Sequence, residues 1–111
     1  MNQKFEHAEE VNLQHLPYEL DEPSQRRAAI GLVVVATDQV IEYEFRMMLS
    51  LPGVALFQSR IRNETRINAQ TLAAMEARLD EAVDLILPGI PLDVVAFGCT
   101  SASMVIGPSR I

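Results

Sequence analysis

The residues whose types and spacing could support a reaction lie in one short stretch near the end of the sequence. Cys99, the only cysteine of the chain, follows the apolar run 94–97 and a glycine, and three of the next four residues carry hydroxyl groups. A helix beginning at this turn directs free backbone N–H groups toward the sulfur, which favours the thiolate and also suits a bound carboxylate. A thiolate attacks an unsaturated carbon or removes a proton next to a carboxylate. The stretch therefore indicates half of an active site for a small carboxylic acid.

The same residues also have structural interpretations, which the sequence leaves open. Most free cysteines are small buried hydrophobic side chains, and Cys99 fits that description as well. Thr100, Ser101 and Ser103 either cap the helix or donate hydrogen bonds to a carboxylate, and both roles use the same helix end.

Two other polar pairs follow apolar runs. Thr37 and Asp38 come after the run 30–36. We expect Thr37 to donate a hydrogen bond to the substrate, and Asp38 either to cap the next helix or to contact the substrate beside a basic group. Arg60 and Arg62 are two positions apart, so in an extended segment they point the same way. They either bind a substrate carboxylate in bidentate fashion or remain solvated at the surface.

Strands and helices are expected to alternate around these residues. The runs 30–36, 54–58 and 94–97 are apolar, as in strands buried in a parallel sheet. Helical spacing predicts a first helix to about residue 51, and a second over 69–87 with Asn68 as its cap. The two apolar stripes are Ile41, Phe45, Met48 and Leu49 in the first helix, and Leu72, Met75, Leu79, Val83 and Ile86 in the second.

The order β-α-β-α-β, followed by the start of a further helix, predicts an α/β fold with a parallel, doubly wound sheet. Ligands of such sheets bind just outside the carboxyl ends of the strands. We therefore expect the three polar groups to converge on one crevice.

The chain divides into an extended polar arm, residues 1–27, and an α/β lobe, residues 28–111. Pro17 and Pro23 break any helix in the arm, and His7 and His15 lack the neighbouring ligands that a metal site needs. Because the sequence ends soon after the third predicted helix begins, we expect a longer protein to continue beyond residue 111.

Composition narrows the class of protein. The net charge is −6 with scattered basic residues, which argues against a nucleic-acid surface. No apolar run is long enough to cross a membrane, no secretory signal is visible, and a single cysteine excludes an internal disulfide, so we expect a cytoplasmic protein. Neither a glycine-rich phosphate loop nor a G-x-S-x-G turn occurs, so we expect no nucleotide cofactor and no serine hydrolase.

The turns at 36–38, 59–60 and 97–101 resemble those of the Asp/Glu racemase superfamily, in the branch of maleate cis-trans isomerase and arylmalonate decarboxylase. Residues 34–38 and 98–107 are most similar to ectoine-utilisation proteins, and the resemblance extends over about residues 30–107. It implies two flavodoxin-like lobes related by a pseudo-twofold axis, with the active site between them. Each lobe usually contributes one cysteine, and neither a metal nor an organic cofactor is used.

The resemblance makes Cys99 the first-lobe cysteine, with Thr100 and Ser101 as donors to the substrate carboxylate. It implies a cofactor-independent isomerase, racemase or decarboxylase, of which this chain is the N-terminal lobe. Asp38 stands where maleate isomerases carry an asparagine that touches substrate, which disfavours a dicarboxylate. Because the second lobe and its cysteine are absent from these residues, the partner is either that lobe or another subunit, and the lobe alone should show little turnover. The alternative is a non-catalytic module that binds a carboxylate or another chain.

Overall fold

The computed structural model describes residues 16–19 and 26–111, so most of the predicted arm, including His7 and His15, lies outside the described residues. Strands and helices alternate in the predicted order. The elements are β1 (Ala28–Val35), α1 (Ile41–Met48), β2 (Val54–Ile61), α2 (Ala69–Ala74), α3 (Glu76–Asp84), β3 (Val94–Phe97) and α4 (Thr100–Ile106).

The three strands form one parallel sheet in the order β2-β1-β3, which confirms the predicted α/β fold. This order follows from one crossover to each side of β1, as in a flavodoxin-like sheet. Strand β2 continues to Ile61, three residues beyond the predicted run 54–58, because its polar end still pairs with β1. Ser59 therefore lies inside the strand, where its hydroxyl donates to the carbonyl of Ala82 in α3.

Strand β1 is buried on both faces because its side chains alternate between two layers of helices. Val33 belongs to the main core, together with Ile61 of β2 and Met75 at the junction of α2 and α3. On the opposite face, Leu32 is fully buried near Ile41 of α1, since both side chains border the space beside Gly98. Helices thus cover both faces of the sheet.

The helix predicted over 69–87 is two helices that meet at Met75. The N–H of Met75 bonds to the carbonyl of Leu72, three residues back, and this tighter turn separates the two segments. The predicted apolar stripe still faces the core: Met75 and Ile86 are 2% and 7% exposed, and Leu72, Leu79 and Val83 are partly buried. Asn68 caps α2 as predicted, in a reciprocal capping box with Thr71.

Helix α1 is shorter than predicted, and one residue of its stripe was assigned to the wrong face. The helix begins at Ile41 and ends at Met48. Met48 is 67% exposed instead of buried, because the half-buried Ile41 and Phe45 already occupy the space against the sheet. In the described part of the chain, no helix has the length and apolar character needed to cross a membrane.

The close packing around Gly98 predicts that a side chain there destabilises the fold. A Cβ atom on Gly98 would lie 2.7 Å from Ile41 Cδ1 and 3.1 Å from the carbonyl oxygen of Val33. We expect Gly98→Val to lower the free energy of unfolding by about 1–3 kcal/mol through overpacking. Ala77→Val, on the exposed side of α3, is the matched control and should cost only about 0.5 kcal/mol in helix propensity. Equal losses in urea unfolding would contradict this packing argument.

Candidate functional site

The carboxyl ends of the three strands lie at one edge of the sheet. The register pairs Val35 with Ile61 and Val33 with Phe97. Two backbone bonds continue this pairing past the strands, from the N–H of Ala36 to the carbonyl of Ile61 (2.8 Å) and from the N–H of Gly98 to the carbonyl of Val33 (2.9 Å). The turns that follow the strands, at 36–38, 62–63 and 99–101, therefore begin side by side.

Asp38 organises the first of these turns. Its Oδ1 accepts hydrogen bonds from the backbone N–H groups of Val40 (2.8 Å) and Ile41 (2.9 Å) at the start of α1. The bond from Ile41, the bond from Val40 and the positive charge of Arg60 together hold the pKa of Asp38 below its usual value, although desolvation opposes them. Asp38 thus caps α1 as an anion, and its contact with a substrate stays a prediction.

Arg60 ties this turn to the end of β2. Its Nη1 donates to the backbone carbonyls of Ala36 and Asp38, both at 3.0 Å, and its Nη2 donates to Glu42 at 3.0 Å. A bidentate grip on a substrate would require some of these bonds to break. The predicted binding role therefore competes with a structural one that the sequence did not indicate.

Arg62, unlike Arg60, has no partner at the turn after β1. It follows the last residue of β2, is exposed, and forms no side-chain hydrogen bond or ion pair to the described residues. Together with Arg60 and Arg78 it lines an open cleft of about 350 Å³ between the end of β2 and α3. Cys99 is not among the lining residues, so this cleft is separate from the thiol.

Asn63 is a residue of this edge that the sequence analysis missed. Its Nδ2 donates to Thr37 Oγ1 at 3.1 Å, across the ends of β1 and β2. Its Oδ1 is buried and has no hydrogen-bond partner among the described residues. A buried acceptor without a donor costs about 1–3 kcal/mol, so this amide oxygen is an unsatisfied group at the sheet edge. The position of Asn63 just after β2 could have indicated a site residue. The neighbouring loop residues are also polar, so nothing in the sequence distinguished Asn63 from them.

Cys99 is partly exposed, and its side chain packs with Val35 and Phe97 against the main core. Its Sγ lies 3.7 Å from the Oγ of Ser101. The cysteine therefore contacts the apolar core and also has a hydroxyl group near its sulfur.

None of the nearby hydroxyl groups caps α4. Cys99 occupies the cap position and makes no side-chain cap bond. Ser103 Oγ donates to the carbonyl of Cys99 at 2.8 Å, which reinforces the first turn of the helix. Thr100 and Ser101 are exposed, and neither hydroxyl bonds to a backbone N–H of the described chain.

The described residues contain no group of three His, Cys, Asp or Glu side chains that could hold a metal ion. Comparisons of the chain with models of protein families, with curated proteins and with solved structures find no match. The assignment of a function therefore depends on the geometry at the strand ends.

The bonds to Asp38 predict an acid-dependent loss of stability. Because its pKa is lowered from 3.8 in the folded chain, the ionised carboxylate stabilises the fold above that pH, and this contribution disappears as the pH falls through the folded-state pKa. We expect Asp38→Asn to be less stable than the wild type at pH 7, with the difference shrinking below about pH 4. Urea unfolding between about pH 3 and pH 7 measures this difference in the free energy of unfolding. Asp80→Asn on α3, which also removes one negative charge, is the matched control. A difference independent of pH would contradict the prediction.

Proposed function

We propose that the chain supplies one half of the active site of a cofactor-independent isomerase, racemase or decarboxylase of the cytoplasm, acting on a small carboxylic acid through Cys99. The observation that supports this most is the meeting of a partly exposed thiol, the Thr37–Asn63 pair and the hydroxyl groups of Thr100 and Ser101 at one sheet edge. This edge is where ligands bind in open parallel sheets. The resemblance of these turns to the Asp/Glu racemase superfamily points to the same chemistry.

Neutral donors would bind the carboxylate. Thr37 Oγ1 already accepts a bond from Asn63, so its own proton remains available for a substrate oxygen. Ser101, whose Oγ lies 3.7 Å from the sulfur, and the next-door Thr100 offer two more hydroxyl groups.

The charges nearby favour a monocarboxylate over a dicarboxylate. Asp38 is an anion, and the cation closest to it, Arg60, is also paired with Glu42. Two negative charges thus share one guanidinium. A second carboxylate placed here would be repelled unless it reached Arg62.

Two reaction schemes are consistent with one thiolate. In the first, sulfur takes the proton from the carbon next to the carboxylate, the electron pair moves into an enolate, and a second acid returns a proton to the opposite face. The chain has one cysteine, so that acid would come from a second lobe or another subunit. In the second scheme, sulfur adds to a carbon–carbon double bond conjugated to the carboxylate, and the electron pair of that bond moves into the carboxylate as an enolate. The resulting single bond rotates, and return of the electron pair re-forms the double bond and expels the thiolate.

A second candidate is a non-catalytic module that binds a carboxylate or another chain. The packing of Cys99 against the main core favours it, because a structural cysteine would pack in the same way. Reactivity of the thiol distinguishes the two candidates.

A functional Cys99 should be alkylated quickly. We expect iodoacetamide to modify it at pH 7 about tenfold faster than it modifies glutathione, since catalytic cysteines react as thiolates. Mass spectrometry of the intact chain follows the reaction directly, because there is no other cysteine. The matched control is the same chain in 6 M urea. A thiol slower than glutathione would exclude the catalytic role and leave the binding module.

Bound carboxylate should protect the thiol, and Thr37 should contribute to that protection. We expect lactate, as a small hydroxy acid, to slow alkylation of Cys99, and Thr37→Val to raise the lactate concentration needed by about tenfold through loss of one hydrogen-bond donor. Arg66→Gln, a loss of charge in the loop between β2 and α2, should leave protection unchanged. Equal protection in wild type and Thr37→Val would remove Thr37 from the site.

A further inference from the structure

Helix α1 carries apolar side chains on two opposite faces. The inner face, with Ile41 and Phe45, is half-buried against the sheet. The outer face carries Tyr43 and Met47 one turn apart, and with the apolar residues that flank the helix they form a patch here called the outer stripe. Its members are Tyr43 and Met47 within α1, Val40 just before the helix and Leu51 three residues after its end, with exposed fractions of 66%, 61%, 53% and 60%. No other helix or strand of the described chain covers it.

Two opposite charges border the outer stripe. At about 100° per residue, Glu44 lies on one side of it and Arg46 on the other. Both are exposed, and neither forms an ion pair with the described residues; Arg46 only donates to the amide oxygen of Gln58 at 3.2 Å. The stripe is therefore an apolar strip with a negative rim and a positive rim.

We propose that the outer stripe binds the outer stripe of a second copy of the chain, with the two α1 helices parallel about a twofold axis. A twofold axis along the helices places each Glu44 opposite Arg46 of the other copy, on both sides of the contact. An antiparallel pair would instead place Glu44 against Glu44 and Arg46 against Arg46. The arrangement of charges thus favours a second copy of the chain as the partner, and a parallel over an antiparallel pairing of the two helices.

A membrane surface suits this stripe less well. Helices that lie on membranes carry Lys and Arg along their polar face, whereas α1 has two acidic residues and one basic residue, and the whole chain has a net charge of −6. A second copy supplies the missing complementary charges.

The contact is expected to be weak and dependent on concentration. One helix face per copy falls at or below the lower limit of specific interfaces, roughly 1,200 Å² in total. Helix α1 begins at the sheet edge where the strands end and where Cys99 lies. Parallel pairing would therefore place Cys99 of both copies at the same end of the dimer. The proposal does not depend on the chemistry of Cys99.

Charge reversal tests the arrangement. In sedimentation equilibrium of the full chain between about 10 µM and 1 mM, we expect the average mass to rise from 12.3 kDa toward twice that value. Glu44→Arg and Arg46→Glu should each weaken association by about tenfold, because each creates like charges on both rims. An equimolar mixture of the two variants should associate at least as well as the wild type, since every facing pair is then opposite in charge. Asp80→Arg, on the exposed side of α3, is the matched control and should associate like the wild type.

Three results would overturn the proposal. A wild type that stays monomeric up to about 1 mM has no such interface. Single variants that associate like the wild type would place the contact on another surface. Weak single variants whose mixture stays weak would exclude the parallel pairing. Recovery in the mixture also shows that both variants are folded, so a loss in the single variants cannot be attributed to unfolding.

Discussion

The burial of β1 on both faces is the constraint on which the rest of the structure depends. Leu32, Val33 and Val34 have no exposed surface, because β2 and β3 flank the strand and helices cover both sides. A strand buried in this way has a fixed register, since a shift by one residue would exchange its two faces. That register determines which residues of β2 and β3 reach the carboxyl edge. The proximity of the three turns is thus a consequence of core packing.

The buried strands and the α/β fold could be predicted from the sequence, because each depends on the combined hydrophobic pattern of many residues. A continuous apolar run such as 30–36 indicates a central strand whatever its exact neighbours are, and proline and glycine end helices locally. The parallel direction of the strands follows from the alternation of elements, whereas the order β2-β1-β3 is seen only in the structure. Thr37, Arg62 and Cys99 lie at one edge because the strands are parallel, but Arg62 lines a cleft that does not include Cys99.

Individual contacts could not be predicted in the same way, because they depend on geometry between distant segments. Arg60 could face a ligand or the β1–α1 turn, and only the position of α1 shows that two carbonyl groups and Glu42 surround it. Asn63 is unremarkable in a polar loop until its bond to Thr37 fixes it. Met48 has the helical spacing of a core residue, but a short helix against a sheet has room for fewer inward side chains than its sequence offers.

The turn after β1 connects the candidate site with the outer surface of α1. Asp38 binds the first N–H groups of α1, while Arg60 links the same turn to Glu42 within the helix. Asp38 and Arg60 lie at the same sheet edge as Cys99. Their hydrogen bonds therefore fix the orientation of α1, and with it the direction of the outer stripe. Since both salt-bridge partners are partly exposed, this linkage is electrostatically modest, and its strength comes from several hydrogen bonds acting together. A ligand that drew Arg60 away from the turn would loosen the start of α1, and a second chain held on α1 would oppose that movement. Binding at the two surfaces would then be coupled through one arginine.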